Sequence, residues 1–311
     1  MYRLTALILS ALVAAAVPAA AQPRTAFPEK RGHQLSEFPR VIKLAENVYG
    51  YEEIRQPGFT TVSMFVVGAD GVLIADGQGN PAATQTMLDH IRKITPRPIR
   101  WYVVGSDHGD HTAGNAVLPK DITYIVHPRS KAAMEQSAAN AKKNPNATPA
   151  PVPPVAMTGD KEVVNVGGIE VQVLFLGRAH TGGDLHVYLP KEKILFMSEA
   201  YLNRVFPAMR SAFPTEWVGV VDRALALDVD RYVPGHGFIE EPKASREELV
   251  EFQRALRAVI AEVTRLHKLG LSPEDARKQA NWGPYAEWFL ADSQDIIAIR
   301  QVYAELEGKL K

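Results

Sequence analysis

The sequence predicts an α+β fold made of two halves of similar element order, followed by a helical tail. Short strand-like apolar segments recur on both sides of a stretch rich in Pro, Ala and Asn at 142–160. In each half the strands come first, and a helix and a further strand follow them, which is the order of an internally duplicated sandwich. Beyond residue 245, apolar residues recur at helical spacing, so the tail is predicted to be helical.

The composition excludes several classes of function. The chain has 311 residues, of which 46% are hydrophobic, so it can bury a sizeable core. Lys+Arg and Asp+Glu both number 35, which gives no electrostatic basis for binding nucleic acid or an anionic membrane. We therefore expect a small-molecule substrate, and the oligomeric state stays open. Because there is no cysteine, any metal must be held by His, Asp, Glu or hydroxyl groups.

The first 21 residues have the pattern of a secretory signal peptide. A basic residue, Arg3, precedes an apolar run that reaches Val17, and small residues end the segment at Ala21. The run is too short for a membrane span, and cleavage is expected after Ala21. The mature protein is therefore predicted to be periplasmic or secreted, with no membrane association once the signal is removed.

The first half is predicted to begin with strands and to continue with helices. Strands are expected at 47–54, 60–68, 71–77, 99–105 and 122–127. A helix is expected at 80–94, because Asn80 can cap it and Pro81 suits the first helical position. A short helix near Ala113 and a longer one at 128–142 complete this half.

The second half repeats this order and leads into the tail. Strands are expected at 162–166, 169–176, 185–190, 193–199 and 231–237, with a helix at 216–227. Capping boxes predict helix starts at Ser245 and Ser272, and the last helix is expected at 296–310. The predicted domains are an extension at 22–40, a main domain at 41–240 with a flexible loop at 139–160, and C-terminal helices at 241–311.

Chemistry-bearing residues follow the apolar strand in "WYVVGSDHGDHTAGN", residues 101–115. His108, Asp110 and His111 lie within four residues, where a strand end turning into a helix aims side chains at one point. Imidazole and carboxylate groups both suit zinc. Runs of polar residues are common on surfaces, so this cluster alone is a weak signal.

Three later residues strengthen the metal interpretation, because each also follows an apolar strand. His180 lies in "GRAHTGGD", Glu199 in "ILFMSEA" and His236 in "YVPGHG". A carboxylate buried at such a strand end is costly unless a cation accompanies it. The ends of these strands are therefore predicted to collect the six residues at one rim.

The order of these motifs resembles the metallo-β-lactamase superfamily, and the resemblance covers about residues 46–237. It implies a four-layer αββα sandwich, here with a C-terminal helical extension, and an H-x-H-x-D-H-x-x-G motif with further ligands on later loops. The residues that match the first motif are His108, Asp110, His111 and Gly114. His180 and His236 match later ligands, and Asp76 in "LIADG" matches a buried aspartate that supports the site rather than binding metal.

Two departures from the family pattern concern the metal ligands. Ser106 stands where the motif has its first histidine, and Glu199 stands where relatives have an aspartate or cysteine. We therefore expect one tight zinc ion and a second, labile one that needs a water relayed by Ser106 or binds weakly. The ligands expected for the tight ion are Asp110, His111, Glu199 and His236, and those for the labile ion are His108 and His180.

The resemblance implies a zinc-dependent hydrolase that uses a metal-bound hydroxide on an activated carbonyl, with Asp110 as ligand and proton shuttle. Export favours a β-lactam ring as the substrate, and a lactone or thioester is the alternative. A non-catalytic periplasmic metal-binding accessory protein is the alternative from another class. Four polar residues that follow Glu199 are candidates for substrate binding or ordinary loop residues: Tyr201, Asn203, Arg204 and Arg210.

Overall fold

The computed structural model describes residues 23–143 and 150–310, so the predicted signal peptide lies outside the described residues. The described strands are β1 (Arg40–Ala45), β2 (Val48–Arg55), β3 (Phe59–Val67), β4 (Val72–Ala75), β5 (Ile99–Val103), β6 (Thr123–Ile125), β7 (Lys161–Val166), β8 (Ile169–Phe175), β9 (Leu185–Leu189), β10 (Ile194–Phe196) and β11 (Arg231–Val233). The described α-helices are α1 (Pro81–Ile94), α2 (Gly109–Thr112), α3 (Pro128–Ala141), α4 (Pro214–Leu225), α5 (Pro242–Lys268), α6 (Pro273–Gln279) and α7 (Ala291–Leu306).

The strands form two mixed sheets. The first has the order β1-β2-β3-β4-β5-β6, and the second has the order β11-β10-β9-β8-β7. Neighbouring strands are antiparallel from β1 to β4 and from β7 to β10, whereas β5, β6 and β11 join their sheets in parallel after helical crossovers. The predicted duplication thus corresponds to one sheet for each half of the chain.

The two sheets pack face to face, because the alternation of side chains along each strand provides an apolar inner face. On β3, Val62 and Met64 contribute to a buried cluster that also contains Val171 and Val187 of the second sheet. Phe65, on the opposite face of β3, belongs instead to the cluster that the first sheet shares with α1 and α3.

The C-terminal helices cover the outer face of the second sheet. Trp217 of α4, Phe252 of α5 and Ile299 of α7 share one buried cluster with Leu195 and Tyr232 of the sheet. The order of layers is therefore helix, sheet, sheet, helix, and the predicted four-layer α+β sandwich is confirmed. The C-terminal helices complete its core.

The helix starts follow the predicted caps in two cases out of three. Asn80 accepts a hydrogen bond from the Ala83 amide at 2.9 Å, and Ser272 accepts one from the Asp275 amide at 3.1 Å. The third prediction was wrong, because α5 begins at Pro242 rather than at Ser245. The Ser245 hydroxyl accepts from the Tyr232 amide at 3.1 Å and so joins α5 to β11.

Two other segments differ from the predictions. Strand β1 has no counterpart among the predicted strands, and its side chains are only partly buried, which gives a weak alternation signal. In the predicted flexible loop, Ala150, Val152 and Ala156 pack against the cluster that the first sheet shares with α1 and α3. The Met157 amide donates to the Val126 carbonyl at 3.0 Å, and the Met157 side chain joins the buried cluster between the two sheets. None of the described helices combines the length and apolar character needed to cross a membrane.

Candidate metal centre

The structure brings the six predicted ligands together at the ends of strands. His108, Asp110 and His111 follow β5, with the last two in the short helix α2. His180 lies between β8 and β9, Glu199 follows β10 and His236 follows β11. Both sheets therefore contribute donors to one edge of the sandwich.

The first cluster consists of Asp110, His111, Glu199 and His236, whose ligand atoms lie within 4.8 Å of one another. His236 Nε2 lies 3.0 Å from Asp110 Oδ2 and 3.2 Å from Glu199 Oε1. His111 Nε2 lies 3.3 Å from His236 Nε2. These are the four ligands predicted for the tight ion.

The second cluster consists of His108, His180 and Glu199. His108 Nδ1 lies 3.0 Å from Glu199 Oε2, and His180 Nε2 lies 3.1 Å from Glu199 Oε1. The two histidine nitrogens are 3.0 Å apart. Glu199 therefore belongs to both clusters, whereas the sequence analysis had assigned it to the first alone.

Ser106 lies next to the carboxylate that the clusters share. Its buried hydroxyl donates a hydrogen bond to Glu199 Oε2 at 2.6 Å, and it accepts one from the His108 amide at 3.3 Å. A hydrogen bond to an ionised carboxylate is among the stronger kinds. Ser106 therefore orients Glu199 and the backbone of His108 at the position where the family motif has a histidine.

Two of the histidine rings contact hydrogen-bond acceptors outside the clusters through their Nδ1 atoms. His236 Nδ1 lies 2.8 Å from the Thr60 carbonyl, which fixes this nitrogen as a donor to the backbone and directs Nε2 toward the carboxylates of the first cluster. His111 Nδ1 lies 3.0 Å from Asp76 Oδ2. Such partners determine the tautomer and orientation of metal-binding histidines.

Asp76 supports the site through an unusual backbone. Asp76 has φ 59° and Ser198, next to Glu199, has φ 49°, a region that residues other than glycine rarely adopt. The Ser198 hydroxyl donates to Asp76 Oδ2, and the Gly105 amide donates to Asp76 Oδ1 at 2.7 Å. Each such conformation costs about 1–3 kcal/mol and persists only where its surroundings enforce it. These hydrogen bonds therefore fix β4, β5 and the Glu199 turn to one another.

The charged groups of the two clusters shift one another's pKa values. Burial lowers the pKa of His108, but the Glu199 carboxylate outweighs burial and raises that pKa to about 9. The pKa of His236 is raised to about 9 in the same way, by Asp110 and Glu199 against burial. Burial opposes the charged form of Glu199, but the surrounding histidines, first of all His180, hold its pKa well below the ordinary value.

The donors fit a metal ion. Four imidazoles and two carboxylates converge on one place, and the two clusters supply four and three donors. Buried carboxylates without a cation are costly, and here the raised pKa values of His108, His111 and His236 let these three rings take the cation's role by holding protons. A divalent ion that displaced these protons would meet nitrogen and oxygen donors of the kind that zinc prefers. The residues of both clusters can therefore hold a metal.

A cavity of about 240 Å³ opens onto the clusters. Five of the ligands line it, and only His111 lies behind them. Its remaining lining is mostly apolar and comes from the β2–β3 hairpin, the segment after Glu199 and the start of α7. The main members of that lining are Arg55, Phe59, Leu202, Val205, Ala208, Arg210, Leu290 and Gln294.

Three of the predicted substrate-binding residues do not reach this cavity. Tyr201 is fully buried in the core beneath α5. Asn203 Nδ2 donates to the Phe238 carbonyl at 2.8 Å, and Arg204 pairs through two nitrogens with Glu248. The expectation that these three residues contact substrate does not fit their positions, because Tyr201 lies in the core and the Asn203 amide nitrogen and Arg204 guanidinium bond within the protein. Arg210 does line the cavity.

Arg55 is a cavity residue that the sequence analysis missed. Its Nη1 donates to Asp110 Oδ2 at 2.6 Å, so a guanidinium adjoins the predicted catalytic carboxylate. Arg55 ends β2 just before the turn "QPG", and the Gly58 amide donates to its carbonyl at 2.7 Å. The sequence places a cationic residue at the tip of a predicted hairpin, but it does not indicate which carboxylate that residue contacts.

The four-layer sandwich and the donor clusters at its edge define a metal-binding α+β sandwich protein. The chain belongs to the metallo-beta-lactamase superfamily, whose family model matches residues 57–236, more than half of the chain. Members of this superfamily are metal-dependent hydrolases. The predicted family is thereby confirmed.

Individual relatives are distant. The chain is 24% identical over 177 residues to a 2,4-dinitroanisole O-demethylase subunit alpha of Nocardioides sp. (strain JS1661), covering 56% of this chain and 52% of that protein. It is 24% identical over 213 residues to a metallo-beta-lactamase type 2 of Bacteroides fragilis, covering 66% and 81%. The sec-alkylsulfatase Pisa1 of Pseudomonas sp. superposes with TM-score 0.66 and 16% identity over 89% of this chain and 51% of that one. The chain thus spans about half of the first and third of these relatives.

Proposed function

We propose that the chain hydrolyses the β-lactam ring of a small anionic substrate with the aid of zinc. The observation that carries the proposal is the cavity, where two donor clusters that share Glu199 lie beneath a cationic rim formed by Arg55 and Arg210. A β-lactam antibiotic combines a reactive cyclic amide with a carboxylate, so it matches both parts of this arrangement. The relative from Bacteroides fragilis, of which the chain covers 81%, carries that activity in its name.

The residues have separate tasks in this reaction. Asp110, His111, Glu199 and His236 would hold one ion, and His108 and His180 would share Glu199 in holding a second. Bound zinc supplies Lewis acidity and ionises water near neutral pH. The water oxygen adds to the lactam carbonyl carbon, the C–N bond breaks, and the ring nitrogen receives a proton. The carboxylates of Asp110 and Glu199 face the cavity and are placed to orient the attacking water through its protons.

A sulfate ester is the second candidate substrate. The start of α7 supplies Leu290 and Gln294 to the cavity wall, so a part of the chain beyond the family match shapes the site. The superposition with the alkylsulfatase extends over 89% of the chain and therefore includes C-terminal helices. Neutral lactones and thioesters rank lower, since they leave the Arg210 guanidinium at the cavity without an anionic partner. The accessory-protein alternative is set aside because the chain belongs to a superfamily of hydrolases.

The test is a substrate panel with purified, zinc-loaded protein. A chromogenic cephalosporin, 4-nitrophenyl sulfate and a γ-lactone are compared, each with wild type and Asp110→Asn, while elemental analysis records bound zinc. Zinc-dependent cephalosporin turnover that Asp110→Asn abolishes supports the proposal. Turnover of the sulfate alone selects the second candidate. If a fully zinc-loaded protein leaves all three substrates unchanged, both candidates are wrong.

We also propose that the mature protein acts in the periplasm or outside the cell, as a small-molecule enzyme without nucleic-acid or membrane partners. The pattern of the first 21 residues and the balanced charge support this. The intact mass of protein recovered from the periplasm of an expressing Gram-negative host tests it. A mass that corresponds to cleavage after Ala21 is expected, and an uncleaved cytoplasmic product would contradict it.

A further inference from the structure

The short helix α2 carries two of the four donors of the first cluster. Asp110 and His111 both lie within its four residues, Gly109–Thr112. A single helical turn is not stable by itself, because forming the first turn fixes several residues for very few hydrogen bonds. The positions of both donors therefore depend on contacts that hold this turn against the rest of the protein.

Tyr102 of β5 provides such a contact from the interior. Its side chain is fully buried, and its hydroxyl donates a hydrogen bond to the His111 carbonyl at 3.0 Å. The Gly77 amide donates to the same carbonyl at 2.9 Å. The backbone of His111 is thus bound to β5 and to the segment after β4, while its ring contacts Asp76 through Nδ1.

The space behind α2 is closely packed around this hydrogen bond. A Cβ added at Gly77 would lie 2.6 Å from Asn115 Oδ1, 3.1 Å from the Tyr102 hydroxyl and 3.2 Å from the His111 carbonyl oxygen. Tyr102 and His111 are both fully buried, so bulk water does not compete for the bond between them. A hydrogen bond in such surroundings is stronger than one exposed to solvent.

The second cluster has supports of its own. The His108 amide donates to Ser106 Oγ at 3.3 Å, and the His108 ring Nε2 lies 3.2 Å from Ser211 Oγ. His180 lies between β8 and β9, in the other half of the sandwich. The hydrogen bond from Tyr102 is made to a residue of the first cluster alone. Its effect is therefore expected at one metal position rather than at both.

We infer that Tyr102 is a positioning residue of the first metal position. Its hydroxyl holds the His111 carbonyl and, through it, the turn of α2, so that both donors of this helix face the other two members of the cluster. The inference goes beyond the proposed function, since it concerns how the centre is assembled whichever bond is cleaved. It rests on that function only in taking the first cluster as a zinc position.

Zinc binding by the full chain tests the inference without turnover. Zinc affinity is measured by chelator competition for wild type, Tyr102→Phe and Tyr188→Phe, and urea unfolding of the metal-free proteins is measured beside it. Tyr188 is the matched control, because its hydroxyl also donates to a backbone carbonyl at 3.0 Å, that of Asp228. It packs in the cluster beneath the C-terminal helices and does not line the cavity.

The two variants should differ in zinc binding but not in the kind of bond they lose. We expect Tyr102→Phe to weaken the first zinc position about tenfold and to leave the second unchanged. Tyr188→Phe should bind zinc as wild type does at both positions. Each variant keeps the ring and loses one hydroxyl hydrogen bond, so urea unfolding should show folded proteins with similar losses of stability. Asp110→Asn and His180→Gln, which each change one donor of one cluster, identify the two steps of the titration.

Three results overturn the inference. One is first-position affinity that is the same in wild type and Tyr102→Phe. Another is an equal loss in Tyr188→Phe, which would mean that general loosening weakens the site. The third is an equal loss at both positions in Tyr102→Phe. Zinc binding that Tyr102→Phe leaves unchanged, together with turnover, would refute the inference and leave the proposed function standing. Tyr102-dependent zinc binding without turnover of any substrate in the panel would do the reverse.

Discussion

Replacing Glu199 by glutamine tests whether one carboxylate serves two metal positions. Its Oε1 lies 3.1 Å from His180 Nε2 and 3.2 Å from His236 Nε2, and its Oε2 lies 3.0 Å from His108 Nδ1. Glutamine keeps the shape of the side chain but removes the charge. The substitution should therefore weaken both positions, whereas a change to any ligand that belongs to one cluster should weaken mainly that cluster.

The expected size follows from the role of the residue. Loss of a hydrogen-bonding partner behind a metal ligand typically costs 10- to 100-fold in metal affinity. Because Glu199 itself supplies the anionic ligand atoms, its loss should cost at least about 100-fold at each position. Asp110→Asn should produce a loss of that size in the first cluster only, and His180→Gln in the second only.

The assay is a zinc titration of metal-free protein in competition with a chromogenic chelator, with elemental analysis to fix the stoichiometry. Asp110→Asn and His180→Gln are the matched controls, since each changes one donor of one cluster. If Glu199→Gln weakens only the step that Asp110→Asn also weakens, the carboxylate is not shared and the arrangement of the second cluster is wrong.

Three further predictions concern pH and packing. Burial lowers the pKa of His186 to about 4, so between about pH 6.5 and pH 4 only the unfolded chain takes up a proton at this residue. The free energy of unfolding should therefore fall by up to about 3 kcal/mol as the pH is lowered through this range. Urea unfolding measures this loss, which should be absent from His186→Gln. In Gly114→Ala, the added Cβ would lie 1.9 Å from Thr84 Oγ1, so we expect a loss of about 2 kcal/mol or more in the same assay. A metal ion that binds must displace the protons of His108 and His236, whose pKa values are about 9. Zinc affinity, measured by chelator competition, should therefore rise as the pH is raised to about 9.

Each of these predictions has an outcome that contradicts it. Equal acid sensitivity in wild type and His186→Gln would mean that this histidine is not held neutral in the folded protein. A Gly114→Ala variant as stable as wild type would show that Thr84 and the backbone carbonyls of Asn80 and Gln78 shift without cost. Zinc affinity independent of pH would mean that the metal-free histidines carry no protons.

The arrangement of the strands and their terminal donors could be predicted because each signal is local. An apolar run followed by His, Asp or Glu identifies a strand end with a polar group, and the resemblance then relates the strand ends to one another. The helix start at Pro242 was missed because the capping pattern at Ser245 was satisfied differently, by a contact with β11. That contact depends on how α5 packs on the sheet, which local spacing does not contain.

The cavity wall was harder to predict than the metal donors. Arg55 meets Asp110 across 55 positions of sequence, through the bend of a hairpin. Tyr201 and Arg204 follow Glu199 closely, but the turn after β10 directs them into the core and toward Glu248. Proximity in sequence to a ligand therefore did not indicate proximity to the cavity, because the direction of a side chain after a turn depends on the packing beneath it.

The metal donors and the cavity wall come from different parts of the chain, and this affects how the protein can change over evolutionary time. The metal donors lie at strand ends whose backbone is fixed by the Asp76 and Ser198 hydrogen bonds, so substitutions there disturb chemistry and folding together. Much of the wall comes from the segment at 202–210 and from the start of α7. Mutations in that wall can alter which molecules are accepted while the reaction centre stays intact. A lineage built in this way can change which ligands its cavity admits through substitutions at 202–210 and at the start of α7.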